Sequence, residues 1–252
     1  ELIMASPYNI LSPAHGKPLV APHQDMVIGL FYLTLENPDA KGRGKIFASY
    51  EEALMAYEVG ELDIHAPIKI RYKGELRETT LGRVIFNNIL PEDWEYVNEP
   101  QDKKALGNLV EACFKKKGYT ATITLLDNMK ELGFKWATKA GLTISVRDVK
   151  IPEEKDELIR RAEEEVESLN SRYELGLLTE SERYQQIVNL WNSITDTITE
   201  KIRSNMNPFN HLYMMTISGA RGNIQQMRQL AGMRGLMADP SGRIIEFPII
   251  HN

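Results

Sequence analysis

Three features of the sequence predict an α+β fold. Residues 1–150 mix helix-like and short strand-like stretches, without the regular βαβ rhythm of a doubly wound sheet. Residues 152–205 carry two apolar stripes stepping by three and four residues, the pattern of two helices packed as a projecting antiparallel hairpin, a short coiled coil. The composition, 42% hydrophobic and 26% charged over 252 residues, is that of a globular chain long enough to bury its own core.

In order, NILSPAHGKPLVAPHQD reads as a loop punctuated by proline, and Pro22 precedes a helix start. MVIGLFYLT is buried, but too short for its periodicity to separate helix from strand. NPDAKGRGK is a turn. Its KGRGK lacks phosphate-loop spacing and reads as surface. A helix begins at Tyr50 and stops near Gly60. PIKIRYKGELRETT supplies one or two strands. QDKKALGNLVEACFKKKGY is an amphipathic helix with Leu106, Leu109, Val110 and Cys113 inward. ITLLDNMKELGFKWATKAG is a second helix, and the alternation in LTISVRDVKI predicts a strand.

In the hairpin, Ile159, Ala162, Val166, Leu169 and Tyr173 face Tyr184, Ile187, Trp191, Ile194 and Ile198. Pro152 suits a first helical turn and Gly176 the residue just past a helix end. Thr179 with Glu182 makes a capping box. Helices of about 20 residues project about 30 Å.

Several function classes are excluded. The lone Cys113 forms no internal disulfide, which fits a reducing, cytoplasmic setting. No apolar run reaches ~18 residues, so no membrane span is expected, and the first residues lack a secretion signal. The five histidines have no ligand spacing, so no metal site is expected. Both ends read as cut, which marks the chain as a piece of a longer protein. The net charge of −5 gives no general pull on nucleic acid. It is uneven, however: residues 152–205 hold 13 acids and 7 bases, leaving 22 acids and 23 bases elsewhere.

SGARGNIQQMRQLAGMRGLMADPSGR, residues 218–243, packs five glycines and four arginines with no lysine. Arginine presents a rigid multi-donor fork that suits phosphate. Glycines beside Arg221 let the backbone approach a ligand closely. A helix through NIQQMRQLAGM would put Arg221 and Arg228 on roughly one face. The competing reading is a structural network tying the segment to acidic neighbours.

SGARGN followed by QMRQLAGMRGLMADPSGRIIE resembles a signature of the largest subunit, β′, of bacterial DNA-directed RNA polymerase. NILSPAHGKP, QDMVIGLFYLT, TTLGRVIFNNILP, GFKWATKAGLTI and VKIPEEK are similar to that family in the same order. The resemblance implies a pore (secondary channel) domain over 1–150, a funnel or rim hairpin over 151–205, and an arginine/glycine-rich loop leading toward the bridge helix over 206–252. It implies that Arg221 is catalytic and reaches the incoming triphosphate, with Gln226, Arg228 and Asn9 near the substrate. Arg234 would belong to the same loop, and Gln24 or Asp25 would lie near the active centre. Tyr173, Glu174, Leu175, Thr179 and Glu180 would dock transcript-cleavage-type secondary-channel factors. Partners implied are the β, α and ω subunits, the remainder of β′, DNA template, RNA and nucleoside triphosphates.

The family's magnesium-binding aspartates are missing from these residues. No cofactor is therefore expected in this piece, which should be inactive alone. Tyr8 and His23 depart from the family's usual residues. Of the positions matching a guanosine tetraphosphate site (Thr120, Thr124, Asp127, Glu131), only the aspartate is kept, so that site is not expected. The alternative reading is a stand-alone regulatory or scaffold protein that uses the hairpin to dock partners.

Overall fold

The computed structural model describes residues 4–251. They form two compact units. The first runs to Thr143 and takes in Ile217–Arg221; the second holds Ile144–Thr216 and continues from Gly222.

The first unit mixes helices with a small sheet, as the α+β reading requires. Its helices are α1 (Asp25–Thr34), α2 (Tyr50–Glu58), α3 (Leu81–Asn87) and α4 (Lys103–Ala140). The strands β1 (Ile46–Phe47), β2 (Pro67–Tyr72) and β3 (Glu75–Thr80) lie in the order β1-β2-β3. β1 runs parallel to β2, and β3 runs antiparallel to it from Pro67↔Thr80 to Tyr72↔Glu75. Lys73 and Gly74 close the hairpin with φ of 48° and 91°. Two successive positive φ values match the right-handed twist of the strands. Ile68 and Ile70 point from β2 into the core.

MVIGLFYLT, ambiguous in sequence, is helical. It is apolar on nearly every side because α3 and α4 both pack on α1. Glycine permits that crossing: a Cβ on Gly29 would fall inside Gly133 O, and one on Gly133 would sit 2.7 Å from Met26 O. Backbones in such contact gain dispersion along their length and leave no room for a methyl group. Gly82 lies in the same way against Leu33 O. Thr80 caps α3 by accepting the Arg83 N–H at 3.2 Å. Arg83 itself is buried, donating to Thr34 O at 3.1 Å and Glu36 Oε2 at 2.9 Å.

The two helices read within 101–141 are present, divided at Gly118, whose φ of 77° and ψ of −167° break the helical path. Leu106, Leu109, Val110 and the free Cys113 are core residues, as predicted. The strand predicted over LTISVRDVKI is not formed. The Asp148 carboxylate accepts the Ser145 N–H at 2.7 Å and closes a 3-10 turn, Val146–Asp148. Alternation marks a strand only when a neighbour covers one face, and here Val146 is 89% exposed.

The second unit is built on the hairpin of α5 (Lys155–Glu174) and α6 (Glu180–Asn205), followed by α7 (His211–Ile217) and α8 (Ile224–Ala231). Ile159, Ala162 and Leu169 pack with Ile187, Trp191 and Ile198 as the stripes predict. Gly176, at φ 72°, follows the C-cap Leu175. Its N–H bonds Tyr173 O at 2.9 Å and that of Leu177 bonds Arg172 O at 3.0 Å, the paired bonds of a Schellman ending. The Thr179–Glu182 capping box forms on α6. Two expectations fail. Pro152 lies outside α5, its carbonyl accepting the N–H of the first helical residue, Lys155. Tyr173 leaves the seam and is 41% exposed, because the helices end there and no further turn covers it. No helix among the described residues is long and apolar enough to cross a membrane.

Candidate functional site

The arginine-rich segment is shaped by its packing on α6. Asn223 is the N-cap of α8, accepting the Gln226 N–H at 2.8 Å while Gln226 Oε1 accepts the Asn223 N–H at 3.2 Å. Met227, Ala231 and Met233 go into the core with Ile198 and Ile202. Gly232 is needed where the chain meets α6: a Cβ there would sit 2.9 Å from Ile198 Cγ2 and 2.9 Å from Arg228 O. With one face of α8 buried, Arg228 is left half-exposed. Beyond Gly235 the chain turns at Asp239–Arg243 and returns antiparallel, bridging Gly235↔Ile249 and Ala238↔Ile244. Asp239 Oδ1 accepts from Ser241 N, Ser241 Oγ and Arg243 N. These bonds, the Ser241 side chain foremost, hold its carboxyl below the usual range.

Arg221 precedes this helix. It belongs to the first unit and lies between Gly219 (φ 71°) and Gly222 (φ 78°). The expectation that Arg221 and Arg228 share a helical face is corrected: Gly222 is left-handed and Asn223 extended, so the helix starts after Arg221. Arg221 and Arg234 are exposed. Among the described residues, none of Arg221, Arg228, Arg234 and Arg243 is paired with a carboxylate. Arg228 Nε is buried without a hydrogen-bond partner, and Arg243 stacks on the Tyr184 ring at 5.0 Å. The competing structural reading required acidic partners, and among the described residues these side chains have none. A guanidinium group without a counter-charge can bind an oxyanion.

Of the remaining predicted residues, Gln226 caps α8, and Asn9 ends a 3-10 turn with its amide donating to Ala5 O at 3.1 Å. Gln24 precedes α1 at φ 46°, an uncommon conformation for a side-chain-bearing residue, and Asp25 begins that helix. At the hairpin tip Glu174, Leu175 and Glu180 are exposed, and Tyr173 lies beneath the Arg183 guanidinium at 5.5 Å. Thr179 serves the capping box, and its backbone N–H, then its hydroxyl, hold the Glu182 carboxyl below the usual range. Asp127 pairs with Lys130 at 3.0 Å. No group of three His, Cys, Asp or Glu side chains among the described residues could hold a metal ion.

Sequence reasoning missed the Asn223–Gln226 box, although N-x-x-Q before an apolar run signals it. It also missed Arg183 and Glu246, which form a fork 63 residues apart in sequence.

Two family descriptions match the chain: RNA polymerase Rpb1, domain 3, over residues 9–149, and RNA polymerase Rpb1, domain 4, over 159–251. The chain therefore belongs to the RNA polymerase Rpb1 family. Within it, the likeness is to the bacterial DNA-directed RNA polymerase subunit beta'. The chain is 50% identical to that of Desulforudis audaxviator, 50% to that of Pelotomaculum thermopropionicum and 48% to that of Desulforamulus reducens. In each case 100% of this chain is covered, and it spans 22%, 22% and 21% of those proteins' lengths.

Proposed function

We propose that this chain forms the nucleotide-entry pore and its rim in a DNA-directed RNA polymerase, and that Arg221 contributes charge to the triphosphate of the incoming nucleotide. The observation that carries the reading is the exposed Arg221, free of any carboxylate among the described residues and flanked by two left-handed glycines. Phosphoryl transfer is catalysed chiefly by positioning and by charge aimed at the phosphate oxygens. Gly222 next to Arg221, and Gly219 two residues before it, leave the backbone free to bring that guanidinium close to the oxygens.

In the same proposal Gln226, Arg228 and Asn9 are further substrate-binding residues, and Arg234 belongs to the same loop as Arg228. Magnesium in such an enzyme supplies charge at the reacting phosphate; this chain contributes no ligand to it in the proposal. The hairpin tip, with Tyr173, Leu175 and the carboxylates of Glu174 and Glu180, receives transcript-cleavage-type factors. The remaining polymerase subunits, DNA template and RNA are partners in the same reading, which supports a cytoplasmic location.

Arg221→Ala in the assembled polymerase tests the reading. A hydrogen bond to a charged group contributes about 1.5–3 kcal/mol, so the apparent KM for nucleotides should rise by about tenfold or more, with slower addition at low nucleotide. Unchanged nucleotide saturation contradicts it.

A further inference from the structure

We infer that Arg183 is a positioning residue for the arginine segment. Through Glu246 it fixes the returning strand whose backbone holds Arg234 and Gly235. Its effect on nucleotide use rests on the reading proposed above; the clamp itself stands on geometry within the second unit.

Arg183 lies in the first turn of α6. Its Nη1 donates to Glu246 Oε2 at 2.8 Å and its Nη2 to Glu246 Oε1 at 3.1 Å. Nη1 also reaches Asn170 Oδ1 on α5 at 3.1 Å, and the guanidinium stacks on Tyr173. The two side chains are only 16% and 19% exposed. Most ion pairs in the chain are far more open, so this one is poorly screened and geometrically specific. Removing either partner leaves a largely buried charge without its counter-charge. The next residue grips the same segment, Tyr184 Oη donating to Ile244 O at 3.1 Å.

What the clamp holds is the frame of the arginine segment. Ile249, three residues past Glu246, accepts the backbone N–H groups of Arg234 and Gly235, each at 3.2 Å, and donates to Gly235 O at 2.9 Å. Ile245 N–H donates to Met237 O at 2.8 Å. No helix or named strand among the described residues contains 234–239. Their antiparallel partner is the returning segment, whose side-chain polar anchors are Arg183 on Glu246 and Tyr184 on Ile244 O. Releasing Glu246 therefore loosens the backbone beneath Arg234, while Met227, Ala231 and Met233 keep α8 seated on α6.

The test uses the assembled polymerase carrying the full chain, with Arg183→Gln, Glu246→Gln and the exchanged pair Arg183→Glu/Glu246→Arg. Hydrogen exchange is followed at the Gly235 and Ile249 amides, with Trp191 in the α6 core as reference, and nucleotide saturation is measured alongside. Either single variant should speed exchange at Gly235 and Ile249 by about tenfold or more through local opening, leave Trp191 unchanged, and raise the nucleotide KM more than it lowers kcat. The exchanged pair should restore both. Unchanged exchange at Gly235 and Ile249 in both single variants overturns the proposal, as does equal acceleration at Trp191, which marks a role in the whole fold. Faster local exchange with unaltered nucleotide saturation upholds the clamp and counts instead against the part given to Arg234 in the triphosphate reading.

Discussion

Arg83 spends its donors on Thr34 and Glu36 and is 6% exposed, whereas Arg221 is exposed and has no carboxylate partner among the described residues. The same side chain is structural in one place and available in the other, and neighbours alone decide which. Residue chemistry also sets a pH limit. Burial pushes the Tyr96 phenol up to about 12, against a smaller opposing hydrogen bond with Thr79. The folded value lies above the usual 10.0, so the stabilisation is complete below pH 10 and is lost as pH rises toward about 12. The unfolding midpoint should fall across that window, and Tyr96→Phe should flatten the fall; an identical slope in both proteins contradicts the assignment. The sequence makes the four arginines of 218–243 conspicuous, but their lack of carboxylate partners among the described residues is visible only in three dimensions. The fork joining Arg183 to Glu246 lies beyond any local pattern for the same reason.

At the scale of elements, legibility followed the range of the forces involved. The Thr179 capping box, the Gly176 stop and the hairpin stripes depend on residues within one or two turns and could be read directly. Two separate helices are legible across α4, but the sequence reading carries the first through Gly118, where the structure breaks the path. MVIGLFYLT remained open because burial against two neighbours erases its periodicity. LTISVRDVKI misled because alternation says nothing about whether a partner strand exists. The α1–α4 crossing was hidden because its requirement is space. Gly29→Ala should cost about 1–3 kcal/mol or more through overpacking, seen as a lower urea midpoint. Gly107→Ala in α4, where a Cβ meets nothing within 4 Å, should not. Equal midpoints for both variants contradict the close approach. At the hairpin tip, Glu174→Lys or Glu180→Lys should weaken factor-stimulated transcript cleavage and spare basal elongation. A normal factor response argues against docking there.

For the whole molecule, two family descriptions together reach from residue 9 to residue 251, and the chain spans 22% of its relatives' length. In the function proposed above, its chemistry is a contribution to a larger machine. The charge distribution is uneven: the hairpin segment carries the excess acid, and residues 218–243 hold four arginines and no lysine. The most direct test is a structure of the assembled polymerase with an incoming nucleoside triphosphate bound. The account predicts a guanidinium nitrogen of Arg221 within hydrogen-bonding distance of a β- or γ-phosphate oxygen. Arg221 held by a carboxylate, with the triphosphate out of its reach, would contradict it.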